Sequence, residues 1–289
     1  MFGGFNNDFV DYVEWDLTIQ GTSTKIEKPY IRLTTPPAPA DVRPEPVLKK
    51  ALAWVKQKVD EGASYLFINN QLKSIRQDLV VQRIRNQFTV ITYETHARVA
   101  LENSDINEFS QCQAQLITLY DEVDAGHPRE FLAYRILYCC YAKDNTNLLD
   151  IMKSLTPEER KDPLVSHALE VCHAVIQNNY HRFFRLFSSA QRMSPYLMDH
   201  IAWKMQLHGF MAMAKAYRDK PGLSLDYVAS ELGFDDADHC KRHLEHAGGM
   251  VIVDTDDPSG KSQLYDTKSS AGNLRFVKSL SELSANPSV

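Results

Sequence analysis

A chain of 289 residues, 44% hydrophobic and 24% charged, can bury one large elongated core or two small ones. Its formal net charge of −5 excludes tight, non-specific polyanion binding by the chain as a whole, so any nucleic-acid contact has to come from a local patch. The five cysteines (Cys112, Cys139, Cys140, Cys172, Cys240) are an odd set without C-x-x-C spacing, which argues for free buried thiols in a reducing compartment rather than a disulfide framework.

The opening MFGGFNNDFVDYVEWD has no basic region followed by an apolar run, so it is not read as a secretory signal. No window of about eighteen residues is apolar and charge-free enough to span a membrane. Residues 1–43 read as an extended, partly disordered arm. Two aromatic clusters (Phe2, Phe5, Phe9; Tyr12, Trp15) lead into GTSTKIEKPYIRLTTPPAPADVRPEP, whose six prolines rule out helix. Tyr30, Ile31 and Leu33 are too apolar for a free tail, and the stretch from Lys28 to Arg43 is expected to lie along the first helical hairpins.

Residues 44–220 carry helical periodicity. Apolar stripes with three-four spacing run through Ile68, Leu72, Ile75, Leu79; Val90, Tyr93, Ala97, Ala100; and Ile106, Phe109, Cys112, Leu116, Leu119. They recur in Phe131, Tyr134, Leu137, Tyr138, Tyr141 and in Leu164, Ala168, Val171, Val175. Thr156-Pro157-Glu158-Glu159 predicts a capping box, and Asp162-Pro163 and Ser194-Pro195 repeat a cap-then-proline signal. Asn103-Ser104, Gly126-His127 and Asn178-Asn179 fall between stripes as breakers. Roughly nine helices with loops of about two to six residues follow, which makes antiparallel neighbours and a stack of helical hairpins without a shared repeat motif.

From 221 to 268 the pattern changes. Ser224–Leu232 predicts a short helix closed by Gly233, and Asp235–Ala247 a second one with Ala237, Cys240, Leu244 and Ala247 buried. MVIVD and LYDT then read as two strands around the turn DDPSGKSQ. Helix, helix and β-hairpin is the winged-helix order. The tail, 269–289, holds one plausible helix around Arg275–Leu283. The expected fold is an all-α helical-hairpin solenoid followed by a small winged helix.

That architecture resembles PCI domains. The arm EKPYIRLTTPPAPADVRPEPVLKKAL, the run QLKSIRQDLVVQRIRNQFTVITYETHARVALE, and FLAYRILYCCY and NYHRFFRLF resemble the leukocyte receptor cluster member eight branch of the GANP family. The resemblance covers about residues 27–270 and is weakest in the winged helix. It implies a nuclear PCI protein of mRNA biogenesis and export that pairs with a second PCI protein and a small acidic peptide also found in the proteasome lid. The Gly-rich or disordered extensions of longer family members are missing, so the chain reads as the core of a longer protein.

Several constellations have a functional and a plain reading. Lys73, Arg76 and Arg83 flank the stripe of the second helix on one side, with Arg85 following; Arg98, and Arg182 with Arg185, form further basic spots. They either contact an RNA backbone or pair with Asp78 or Glu94 and brace adjacent helices. His239, His243 and His246 follow i, i+4, i+7 spacing, which places three imidazoles on one arc of a helix. They make a weak metal candidate and more readily a solvated or nucleic-acid-facing surface. Lys241 and Arg242 on the same helix, with Lys261 in the wing, are further nucleic-acid candidates. However, Asp235, Asp236, Asp238 and Glu245 deny that helix a basic face and argue against sequence-specific DNA reading.

In the cluster Tyr180 to Phe187, the three phenylalanines read as core, leaving Tyr180, Arg182 and Arg185 as a candidate groove for the small acidic peptide. Val251 and Val253 are the candidate pairing residues of the wing. There is no G-x-S-x-G, H-E-x-x-H or phosphate-cradling loop, and Cys172-His173, neighbours on a helix, point about 100° apart and cannot act as a nucleophile–base pair. The leading expectation is a PCI scaffold without cofactor or catalysis that binds RNA non-specifically. A DNA-binding winged-helix regulator and a purely structural lid-type subunit are the alternatives.

Overall fold

The computed structural model describes residues 18–218, 222–253, 263–271 and 274. The N-terminal aromatic clusters, Lys261 and the expected helix around Arg275–Leu283 lie outside them. The fold is mostly helical with one small sheet, and it divides into two compact units, residues 1–126 and 127–289, a boundary inside the span 44–220 that the periodicity treats as continuous.

In the first unit a single 3-10 turn, Pro39–Asp41, ends the arm, and four helices follow: α1 (Glu45–Asp60), α2 (Tyr65–Val81), α3 (Gln87–Glu102) and α4 (Ile106–Glu122). Each packs on the one before it, as short connections require. Ile68, Leu72, Ile75 and Leu79 of α2 are essentially inaccessible and meet Leu48, Leu52 and Val55 of α1. Each fully buried leucine or isoleucine contributes on the order of 1.5–3 kcal/mol. Asn86 and Asp105 cap α3 and α4 through their side chains, and α3 ends just before Ser104 in the left-handed conformation (φ 57°).

The arm solves an accounting problem. An extended segment with no strand partner leaves its peptide groups unpaired, and burial of such groups is costly. Polar side chains of α2 and the turn beyond it supply the partners: Gln71 accepts from Lys28 N (3.2 Å), Asn70 from Tyr30 N (2.9 Å) and Gln82 from Gly21 N (3.0 Å). Gln77 donates to Ile31 O at 2.9 Å. Gly21 lies so close to the Val42 carbonyl that a Cβ would not fit.

The second unit contains α5 (Pro128–Ala142), α6 (Asn145–Ser154), α7 (Pro157–Lys161), α8 (Pro163–Ile176), α9 (Tyr180–Ser188) and α10 (Ser194–Ala216). The capping box at Thr156 and the cap at Asp162 form as their sequences predict. The third signal is displaced by one residue. Ser194 is the first helical residue of α10 rather than its cap, because the chain enters through Arg192 (φ 54°) and Met193, whose N–H is taken by the Tyr134 hydroxyl at 3.1 Å. Packing here is not sequential: α5 lies against α8 and α10 as well as α6.

Beyond α10 come β1 (Leu223–Ser224), α11 (Leu225–Glu231), α12 (Ala237–His246), β2 (Met250–Val253) and β3 (Gln263–Asp266). The strands form an antiparallel sheet in the order β1-β3-β2, with Val251 opposite Tyr265 and Ile252 opposite Leu264. β1 is too short to give an alternation signal, and the sequence reading missed it. Tyr265 is buried and donates its hydroxyl proton to Phe210 O at 3.0 Å, tying this module to α10. Phe210 and Phe234 stack beside it, with centroids 6.0 Å apart.

Candidate functional site

The expected basic face of α2 is mostly spent on carboxylates. Arg76 is only 8% exposed, which takes it out of reach of a polyanion. Its guanidinium meets Glu108 Oε1 at 2.7 Å, donates to Cys112 Sγ at 2.7 Å and lies over the Tyr93 ring. Arg76 is therefore a brace, and its acid is Glu108 on α4 rather than Asp78 or Glu94. Lys73, half-buried, holds the other Glu108 oxygen at 2.6 Å. Arg85 is exposed and makes a two-pronged pair with Glu122. Arg98 pairs with Glu94 at 3.2 Å. Arg83 is exposed just past the end of α2 in the left-handed conformation, φ 52°.

Asp78, the carboxylate that the sequence offered to Arg76, is instead the anchor of the arm. It receives Arg43 Nε and Lys28 Nζ, each at 2.6 Å. Arg43 is completely buried and spends its remaining donors on Ile26 O and Ser74 Oγ, both at 2.9 Å. Nothing in the proline-rich composition marks Arg43 as a core residue.

Glu108, Cys112 and His96 bring three metal-ligand atoms within 4.8 Å of one another, the one such group among the described residues. They do not suit a cation. Burial pushes the Cys112 thiol up to about 11, so it keeps its proton. Burial, then Arg76 and Lys73, hold His96 well below the ordinary imidazole value, so it stays neutral. The permanent charge of Arg76, 2.7 Å from both Glu108 Oε1 and Cys112 Sγ, already neutralises the carboxylate and opposes a second cation.

In the second unit, Phe183 and Phe184 of α9 are core as expected, and Phe187 is half-buried. Arg185 is exposed, and Arg182 reaches Glu170 at 3.3 Å across a solvated surface, a pair of little energetic weight. Tyr180 is half-buried against Gly209 of α10. Its hydroxyl is raised by burial and then by Tyr227, Glu231 and Tyr217 nearby. Tyr217, just past the end of α10, and Tyr227 on α11 are near enough to act on that hydroxyl. Sequence reasoning missed them because they lie on different segments from Tyr180.

Of the three histidines of α12, His246 is exposed as a solvated row requires, but His239 and His243 are half-buried. His239 Nε2 and His243 Nε2 are 3.2 Å apart, Phe234 packs on both, and Trp203 of α10 packs on His243 and His246. Burial, then the neighbouring histidines and Arg242, lower His243 below its usual value. Trp203 of α10, remote in sequence, thus half-buries His243, while His246 stays exposed. His239, His243 and His246 do not bring three ligand atoms together. Arg242 is exposed and Lys241 half-buried.

The sheet offers the most open apolar surface of this module. β2 is an edge strand, and Met250, Ile252 and Val253 are 46%, 36% and 56% exposed. Val251 is half-buried opposite buried Tyr265, so it points inward. Of the two candidate pairing valines, Val253 is open and Val251 belongs to the packing under the sheet. The alternation along β2 makes Met250 and Ile252 the outward pair.

Residues 10–252 match the SAC3/GANP family. The chain is 48% identical over 235 residues to the Leukocyte receptor cluster member 8 homolog of Xenopus laevis, covering 81% of this chain and 29% of that protein. It is 42% identical over 241 residues to a THP3 homolog of Schizosaccharomyces pombe, covering 83% and 60%. It is also 42% identical over 280 residues to SAC3 family protein A of Arabidopsis thaliana, covering 92% and 27%. The chain thus spans between about a quarter and three fifths of the length of these relatives.

Proposed function

Because this chain belongs to the SAC3/GANP family, we propose that it is a non-catalytic PCI scaffold subunit of a nuclear complex in transcription-coupled mRNA processing and export. In this reading the α11–α12–sheet module is its winged helix and pairs with a second PCI protein, a small acidic peptide lies by Tyr180, Arg182 and Arg185, and RNA is contacted without sequence preference.

The observation that carries the reading is the edge strand β2. A long-lived monomer keeps such an edge short, charged or covered. Here both outward residues, Met250 and Ile252, are apolar and open, as is Val253 at the end of the strand. Charge supports pairing over DNA reading: Lys241 and Arg242 on α12 stand among Asp235, Asp236, Asp238 and Glu245. The direct test is Met250→Asp with Ile252→Asp, followed by co-purification from source cells. The second PCI subunit is expected to be lost while the thermal melting temperature stays within a few degrees of the parent. Retention of that subunit at full stoichiometry places the pairing surface elsewhere. Val251→Asp is a poor probe, since it would bury a charge opposite Tyr265.

RNA contact falls to the cations that remain exposed: Arg83 and Arg85 in the first unit, Arg185 and Arg242 in the second, with Lys73 and Lys241 half-buried beside them. Reversing Arg83 and Arg85 to Glu in the assembled complex is expected to weaken RNA binding several-fold at low salt. The slope of log K against log salt should flatten by about one per lost phosphate contact. Unchanged affinity and slope would favour the second reading, a purely structural lid-type subunit. That reading draws its own support from the commitment of Arg76, Lys73 and Arg85 to Glu108 and Glu122.

A further inference from the structure

We propose that Thr35 is a modification site, phosphorylated by a proline-directed protein kinase while the arm stays docked on α2. Three places in the sequence put proline directly after serine or threonine: Thr35-Pro36, Thr156-Pro157 and Ser194-Pro195. Such a kinase takes its substrate as an extended strand and accepts proline after the target hydroxyl, where no N–H is available to donate. The motif does not choose among the three, but the fold does. Thr35 is exposed, as are Arg32, Leu33, Thr34, Pro36 and Ala38 around it. No helix or strand includes residues 18–38, and Pro36 itself biases Thr35 to the extended region. The Thr35 hydroxyl has no hydrogen-bond partner among the described residues.

The other two sites are closed by their own structure. Ser194 is 2% exposed and is the first residue of α10. Thr156 is exposed, but its hydroxyl accepts from Glu159 N at 3.2 Å and its N–H donates to the Glu159 carboxylate at 2.8 Å. The residues after it are already helical, so a kinase would have to unwind α7 to read them. The arm asks for no such opening. It is tied at Lys28, Tyr30 and Ile31 on one side, and again at Pro39 O, which accepts from Thr22 N at 2.8 Å. Residues 32–37 make no hydrogen bond among the described residues, so they can enter a kinase cleft as a loop with both anchors kept.

The co-reactant is ATP. The Thr35 oxygen bonds to the γ-phosphorus, the bond from that phosphorus to the β–γ bridging oxygen breaks, and ADP leaves with the electron pair. The hydroxyl proton is released through the kinase's base. The phosphate adds about 1.5–2 negative charges near Arg32 at neutral pH. Asp78 keeps Arg43 and Lys28, so the mark changes the surface and leaves the packing beneath it intact.

The test incubates the folded chain with ATP, Mg²⁺ and an active mitogen-activated or cyclin-dependent protein kinase, and maps the sites by mass spectrometry. One phosphate is expected on Thr35, and Thr35→Val should abolish it. Free peptides spanning the three motifs calibrate sequence preference. Relative to its own peptide, Thr35 in the folded chain should keep most of its rate, whereas Thr156 and Ser194 should lose at least about tenfold. The phosphorylated chain should melt within a few degrees of the parent. A Thr35 peptide that both kinases ignore, a folded chain without phosphate on Thr35, a tenfold loss at Thr35 relative to its peptide by about the measure set for Ser194, or melting lowered beyond that range would each overturn the proposal.

Discussion

Replacing Asp78 by alanine is expected to lower the unfolding free energy of the first unit by about 3–5 kcal/mol, seen as a drop in the urea midpoint at unchanged slope. The magnitude follows from what is left behind. Asp78 is 1% exposed and neutralises Arg43, which is fully buried and cannot reach water without undocking the arm. Lys28 loses its carboxylate as well, and Gln82, which bridges Asp78 O and Arg43 O at 2.8 Å each, loses the geometry that aligns it. An isolated buried charge costs far more than the pair contributes, so Arg43→Met with Asp78→Leu should recover most of the loss. If Asp78→Ala changes stability by less than about 1 kcal/mol, the arm is not held by this pair.

Glu108→Ala should be as damaging, again by about 3–5 kcal/mol, for a related reason on the opposite side of α2. Glu108 is 2% exposed and is the only carboxylate that the described contacts give to both Arg76 and Lys73. Its removal leaves a guanidinium nearly enclosed by Cys112 and Tyr93, beside neutral His96. Lys73→Ala is the internal control: that ammonium is 29% exposed and can be hydrated in place, so its loss should cost about 1 kcal/mol or less. Equal losses for Glu108→Ala and Lys73→Ala would contradict the role of Arg76 as the buried brace.

These two acids also show how far sequence reasoning reaches. Period and capping chemistry are local, so α2, α3, α4, α5 and α8 are legible from their stripes, and Thr156 and Asp162 from their caps. Pairing is not local. The cations of α2 look like a polyanion surface until α4 brings Glu108 against Arg76 and the arm brings Arg43 against Asp78. On α12, His243 looks solvated until Phe234 and Trp203 pack on it. β1 is two residues long, too short for any alternation to register.

By itself, the sequence determined that this chain is mostly helical, where most helices begin and end, that a proline-rich arm must be extended, and which family it belongs to. Those properties rest on interactions within a few residues, or on the literal order of residues. The tertiary structure alone decided which charges face solvent and which are locked inside, and that Val251 points inward while Met250 and Ile252 point out. Each of these depends on a partner distant in the chain, and a side chain's chemistry is set by what surrounds it in space.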